Sequence, residues 1–330
     1  MTGEAKSKSI DVGLYFDLRN PPENHRSSSR LHSFTLEMCE EADRLGASSL
    51  WFSEHHLFDD AYLSQPLTFA AAAAARTRRA RIGTAILIAP LHSPVEVAEQ
   101  AALVDVISGG RLDLGIGAGY RKPEYDLYDV SDQRRYGRTD DMVVRLHDLW
   151  SEGGVTPRSV QNPIPVWLGY HGPQGARRAG RLGVNLLSPH SESWQPYREG
   201  LIEGGHDPNR ARMGGGIQAW VTDDPERDWP LVAPHIGYQV DSYRRHMVQG
   251  ATAPPPAPVD PEKLIAREAR GPLSYFWFGT PEQIADRIRG CVGDAPVSTV
   301  YLWASVGGMP EELVAEHVET VCTRLAPLLR

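Results

Sequence analysis

From Ile10 to Leu329 the chain alternates short apolar runs of strand length with longer stretches of helical spacing. This alternation restricts the fold more than any other feature, because successive βα units imply a parallel sheet covered by helices. Ile10–Phe16 reads as the first strand. Leu31, Phe34, Met38, Ala42 and Leu45 then recur at helical spacing, and Gly46 follows as a C-cap. Ser48–Ser53 is the second strand, and Pro66 opens an Ala-rich helix at its first turn. Ala80–Ile88 is the third strand, Pro94–Ser108 its helix and Arg111–Gly117 the fourth strand. The second half keeps the rhythm. Strands are expected at Ile164–Gly169, Val184–Leu187, Ile217–Thr222 and Val297–Trp303, with helices at 138–150, from Pro173 to Arg181, at Trp194–Glu203, Pro281–Cys291 and Pro310–Leu329.

About eight such units in 330 residues predict an α/β fold of the (β/α)8 TIM-barrel type, one domain over residues 1–330. An open doubly wound sheet is the alternative, because periodicity does not reveal strand order. One stretch breaks the pattern. Residues 223–275 contain ATAPPPAPVDPE and read as an aperiodic insertion, either a lid or a disordered excursion.

Composition then excludes several functions. The net charge of −8, without a run of Lys or Arg, argues against nucleic acid and anionic membranes. The Ala-rich segment Thr68–Ala75 is far too short to span a bilayer. MTGEAKSKSIDVGLYF has no apolar core of a secretory leader, so a cytoplasmic protein is expected. Cys39, Cys291 and Cys322 form no CxxC pair and sit in helical patterns, which suits small core residues in a reducing compartment.

In a barrel, functional groups gather at the carboxyl ends of the strands. That rule turns scattered polar residues into a ring: Asp17 after the first strand, Glu54-His55-His56 after the second, and His92 beyond the third. The Gly117-Ala118-Gly119 loop follows the fourth, Gly169-Tyr170-His171-Gly172 the fifth and Ser188-Pro189-His190 the sixth. Tyr15, Tyr62, Tyr120 and Trp303 are further rim candidates for substrate contact, or else core packing.

Three motifs carry chemistry. GIGAGY (Gly115–Tyr120) lacks the helix that must follow a dinucleotide fingerprint directly. Its missing side chains would let a flat ligand approach the backbone, or merely permit a tight turn. LGYHGPQGARRAGRLG places a glycine-rich turn at a helix N-terminus, where backbone N–H groups favour phosphate, with Arg177 and Arg178 one turn on. In SLWFSEHHLFDD the adjacent histidines point to opposite faces of extended backbone, so no shared metal is expected. One histidine facing a cavity suits general acid–base work; a hydrogen-bonded polar turn is the bland alternative. Asp17 and Glu54 on adjacent strands could form a glycosidase pair, but the glycine-lined rim suits a flat cofactor better.

The run from WFSEHHLFDDAYLSQPLTF to RLDLGIGAGY, PVWLGYHGPQGARRAGRLGVNLL and FGTPEQIADRIR resembles the luciferase-like flavin-dependent monooxygenases, over most of the chain. The resemblance implies a (β/α)8 barrel with flavin across the carboxyl-end rim. It assigns the active-site histidine to His55, with Glu54 beside it, and a non-proline cis peptide to Ala85–Ile86. It implies a cofactor site formed by Asp17, Ala85, Ile86, Gly117, Ala118, Gly119, Tyr120, Gly169, Tyr170, His171, Gly172, Gln174 and Gly175. Where Ala118 stands, the luciferase catalytic chain carries a phosphate-binding arginine, so phosphate moves to the Gly172–Gly175 turn. The implied activity is a monooxygenase using reduced FMN and dioxygen on a small organic substrate. A separate flavin reductase would supply the FMN, and a homodimer is expected. The alternatives are hydride transfer with the deazaflavin coenzyme F-420, a metal-dependent barrel hydrolase and a flavin-binding protein without turnover. In the implied chemistry His55 controls a proton, His56 braces the rim, and Asp59 and Asp60 begin the loop over the substrate.

Overall fold

A computed structural model describes residues 9–24, 26–151, 154–250, 254, 256–267, 273 and 275–330. Eight parallel strands close a barrel: β1 (Asp11–Phe16), β2 (Ser49–Phe52), β3 (Arg81–Thr84), β4 (Leu112–Gly117), β5 (Val166–Leu168), β6 (Asn185–Leu187), β7 (Met213–Ile217) and β8 (Val297–Trp303). Each strand is hydrogen-bonded to its sequence neighbours, β8 pairs with β1, and pairing of β3 with β4 completes the circle. This is the (β/α)8 TIM barrel that the alternation predicts. A short continuation of the third strand, Leu87–Ile88, follows a cis peptide bond between Ala85 and Ile86 and pairs with the end of β4.

Large aromatic rings fill the barrel. Trp51 of β2 stacks on Tyr301 of β8 at 4.8 Å and meets Trp167 of β5 edge-on at 6.1 Å. Side chains from strands so far apart in the circle can meet only inside it. The wide rings need small neighbours: a Cβ on Gly83 would lie 2.3 Å from the Trp51 ring. β7 reads MGGGI for the same reason. A Cβ on Gly214 would strike Thr299 at 2.6 Å and one on Gly216 would meet the Tyr301 ring at 3.0 Å. Three glycines in a row hide a strand from periodicity, so the expected strand at Ile217–Thr222 misplaces the seventh barrel strand. Beyond Gln218 the chain forms Ala219–Val221, which pairs outside the barrel with Trp277–Gly279.

The segment expected to be aperiodic is largely helical. Pro225–Met247 forms a helix capped by Asp224, whose carboxylate accepts from the Arg227 N–H. Val232, Ile236, Val240 and Tyr243 bury one face at helical spacing. Pro230 and Pro234 lie inside this helix and mask it in the sequence, because proline normally ends a helix. Within the Pro-rich run, residues 251–253 and 255 lie outside the described residues, as do 268–272 and 274 and the first eight residues of the chain. Among the described residues no helix is long and apolar enough to cross a membrane.

The three cysteines are free. Cys39 and Cys322 are core residues as expected. Cys291 is not: it is half-buried at the rim, with its sulfur 3.1 Å from His190 Nδ1.

Candidate active site

β2 delivers Ser53, Glu54, His55 and His56 to the rim in succession, and alternation separates their side chains. Glu54 turns inward and is buried. Its Oε1 accepts from His56 Nε2 and His92 Nε2, each at 2.8 Å, and its Oε2 accepts from the Ile88 N–H at 2.6 Å. Burial works against the charge, yet the hydrogen bonds from His56 and His92 hold the carboxyl below its usual range. Both carboxylate oxygens of Glu54 are thus engaged. The carboxylate, expected beside the catalytic histidine, braces His56, His92 and the Ile88 backbone at the edge of the cavity. His56 braces the rim, as expected.

His55 turns the other way. Its Nδ1 lies 2.8 Å from Glu124 Oε1. A carboxylate only accepts, so Nδ1 carries the proton and Nε2 is left for a ligand. The same oxygen accepts from the His56 N–H at 3.0 Å and from Arg121 Nη1 at 3.0 Å. Burial opposes ionisation of Glu124, and the His55 hydrogen bond leads the contacts that nonetheless lower its pKa. Arg121 is fully buried beneath this pair and reaches the end of the Pro225–Met247 helix through the His246 carbonyl and Gln249. Sequence reasoning missed Glu124 and Arg121. The available signal is their spacing of three residues across Lys122–Leu127, which proves to be one short helix turned toward His55.

His55 opens on a cavity of about 220 Å³ lined also by Tyr15, Ser53, Tyr62, Ala85, Ile86, Gly117, Ala118, Gly119, Tyr120, Gly169, Tyr170 and His171. A second cleft, about 510 Å³, shares the Ala85–Ile86 and Gly169–His171 walls and continues past Gly172, Ser188 and Ser193. Of the expected cofactor residues, Asp17, Gln174 and Gly175 are not among the lining residues of either space. Asp17 is buried and accepts from Gln239 Nε2 at 2.5 Å, whereas Gln174 is exposed on its helix. Burial raises the Asp17 carboxyl to about 6 although Arg19 opposes the rise. Asp60, expected to begin a loop over the substrate, is also buried. Arg19 donates to its Oδ2 at 2.6 and 2.8 Å and Tyr238 at 2.9 Å.

The rim glycines also have a packing role. A Cβ on Gly117 would lie 3.0 Å from the Ile86 side chain, one on Gly169 2.6 Å from Ile86, and one on Gly119 2.7 Å from Ile88. The missing side chains therefore seat Ile86 and Ile88, and the same three glycines line the cavity. Gly175 likewise makes room for Tyr170. Gly172 differs: its φ is +73°, and nothing would meet a Cβ there. It begins the Gly172–Arg181 helix at the wall of the larger cleft, so free N–H groups and the Ser188 and Ser193 hydroxyls border one space. Arg177 does not assist them, because it pairs with Glu203, and Arg178 pairs with Asp140.

These features fit a flat cofactor with an anionic tail: an aliphatic wall at Ala85–Ile86, a histidine beside it, and helix N–H groups further along the cleft. They offer little to a metal. Among the described residues no three His, Cys, Asp or Glu side chains converge on a cation position.

A family model described as luciferase-like monooxygenase matches residues 10–298. The oxygenase component of a flavin-dependent trigonelline monooxygenase from Acinetobacter baylyi is 28% identical over 179 residues, 49% of this chain and 50% of that protein. A coenzyme F-420-dependent glucose-6-phosphate dehydrogenase from Amycolatopsis mediterranei is 25% identical over 187 residues, 51% of this chain and 56% of that protein. The chain thus spans about half the length of each of these relatives. A monooxygenase structure from Streptomyces bottropensis superposes with a TM-score of 0.78 at 24% identity, covering 96% of this chain and 99% of that one.

Proposed function

The chain belongs to the luciferase-like monooxygenase family, and from that premise we propose that it is a flavin-dependent monooxygenase, an oxygenase component that receives reduced FMN from a separate reductase. The observation that carries this reading is the His55–Glu124 pair, set beside the aliphatic Ala85–Ile86 wall in a cleft long enough for a cofactor tail. The reduced cofactor supplies the electrons and activates dioxygen; the chain supplies position and protons. Ala85, Ile86, Gly117 and Gly169 would hold the flat ring, and the Gly172 helix start with Ser188 and Ser193 its phosphate. Glu124 fixes the tautomer of His55, so Nε2 is the atom that holds or moves a proton at the reacting centre. Tyr120, Tyr62 and Tyr243 close around the histidine ring and limit water there. The Pro225–Met247 helix serves as the fixed part of a lid over the rim. A second reading, hydride transfer with the deazaflavin coenzyme F-420, is supported by the dehydrogenase relative and uses the same nitrogen.

A homodimer and a cytoplasmic location are part of the proposal. Leu103, Val106 and Ile107, which are 40–49% exposed on the Pro94–Ser108 helix, support a second copy as partner.

Side-by-side titration with reduced FMN and reduced deazaflavin, with oxygen uptake followed, decides the cofactor. Tight FMN binding with oxygen uptake is expected; deazaflavin binding without uptake would replace the first reading by the second. His55→Ala assayed with supplied reduced FMN should lose product formation by on the order of 10²–10⁴. Near-normal turnover would remove His55 from the chemistry.

A further inference from the structure

Four hydroxyl groups from three separate segments meet on one wall of the His55 cavity. Tyr15 stands near the end of β1, Ser53 follows β2, Tyr62 lies in the loop beyond, and Tyr243 comes from the Pro225–Met247 helix. Tyr62 Oη lies 2.5 Å from Tyr15 Oη, 2.7 Å from Ser53 Oγ and 2.6 Å from Tyr243 Oη, and the Tyr15 and Ser53 hydroxyls also bond each other. All four residues line the cavity with His55, whose ring meets the Tyr62 ring edge-on at 4.9 Å.

The cluster is built to donate. Burial keeps the phenols protonated, with Tyr15 pushed up to about 12 and Tyr62 and Tyr243 raised well above their usual value. The Arg19 guanidinium sits 4.8 Å from the Tyr243 ring centre and 5.4 Å from that of Tyr62, which places positive charge behind both phenols. Each hydroxyl brings one proton and two acceptor positions. An oxygen entering the cavity can accept a hydrogen bond from the cluster by replacing a contact within it.

The rest of the lining limits what carries that oxygen. Tyr120, Tyr136 and Tyr170 add three more phenol rings, and among the described residues no lysine or arginine lines the cavity. Glu54 is the one carboxylate of the lining, and it is engaged by His56, His92 and the Ile88 N–H. An anionic carboxylate or phosphate would find no cation here, and a cation no free acid, whereas a flat neutral ring would find aromatic walls.

We propose that the Tyr15–Ser53–Tyr62–Tyr243 cluster binds an acceptor oxygen of the substrate, and that this substrate is a neutral ring compound bearing a carbonyl or phenolic oxygen. The inference rests on the reading of the His55 cavity as the reaction site, and it names the substrate class for that site. It puts the substrate oxygen within reach of the group that controls the proton.

The test measures binding to the full-length protein, without turnover or oxygen. Acetophenone serves as the acceptor probe and ethylbenzene as the probe of like shape without an oxygen, each titrated by calorimetry. Wild type should bind acetophenone at least tenfold more tightly than ethylbenzene. Tyr62→Phe and, separately, Tyr243→Phe should abolish that preference while leaving ethylbenzene binding within twofold, with melting curves checking that each variant folds. FMN affinity should be unchanged in both. Equal binding of the two probes to wild type overturns the proposal, as does a preference that survives in both variants. A tenfold loss of FMN affinity with acetophenone binding intact also overturns it, because the oxygen would then be the cofactor's. A failure to consume oxygen in the separate FMN titration would count against the monooxygenase reading alone.

Discussion

At the ends of β1 to β4 polar groups are tied to one another, whereas at the ends of β5 to β8 they face an open cleft. Glu54, Glu124, Arg121, Asp17, Arg19 and Asp60 are all buried in the first half, and each is engaged by side chains or backbone from other segments. In the second half His171 is exposed and the Gly172 N–H begins a helix at the edge of free space. His190 has the half-buried Cys291 thiol beside it. The contrast separates two tasks. Under the proposed function the first half does acid–base work, whose geometry tolerates little displacement and suits charged networks in a dry environment. Under the proposed function a cofactor tail would enter and leave on the other side, where the Gly172 helix start borders open space.

The largest break in this contrast should come from the Arg19–Asp60 pair, whose side chains are inaccessible to solvent. Arg19→Met leaves a buried carboxylate without its cation and should cost about 3–5 kcal/mol in denaturant unfolding. A loss below 1 kcal/mol would show that the first half is not held by charge. Asp17→Asn goes the other way. The folded carboxyl is raised from 3.8 to about 6, so its contribution is complete below the unfolded value and is lost as pH rises through 6. The stability of Asp17→Asn relative to wild type should therefore increase between pH 4 and pH 8, by up to about 3 kcal/mol in thermal melts. A pH-independent difference would contradict the assigned burial. Glu54→Gln comes next. An amide accepts at one atom where the carboxylate accepts at two, so at least one buried donor is left facing another, at about 1–3 kcal/mol. The matching change in the second half, His190→Gln, should cost less than about 1 kcal/mol, because the site is half-open to water. Equal losses for Glu54→Gln and His190→Gln would erase the distinction between the halves.

The two halves also differed in how plainly they were written in the sequence. SLWFSEHH announces a strand and its rim, and the apolar run, the acid and the two histidines all fall where alternation predicts. The resemblance directed attention to His55, and the cavity does open on it. The second half contains MGGGI, a strand whose side chains were given up to seat Thr299 and Tyr301, and a helix carrying Pro230 and Pro234. Both break local rules; the glycines do so for the sake of distant neighbours, which no window of adjacent residues contains.

By itself the sequence determined the alternation of strands and helices, the place of the rim and most of the residue types upon it, because hydrophobic period is a local property; closure of the sheet into a barrel was left to the tertiary structure. Tertiary structure alone decided which acid serves His55. Glu54, adjacent in sequence, points away into His56 and His92, and Glu124 reaches the ring at 2.8 Å from a different strand end. It also decided that the rim glycines seat Ile86 and Ile88, and that four hydroxyls from positions 15, 53, 62 and 243 share one wall. The physical reason is the same in each case. A barrel brings the ends of all its strands to one face, so the partner that sets a side chain's chemistry is chosen by closure of the circle and not by proximity along the chain.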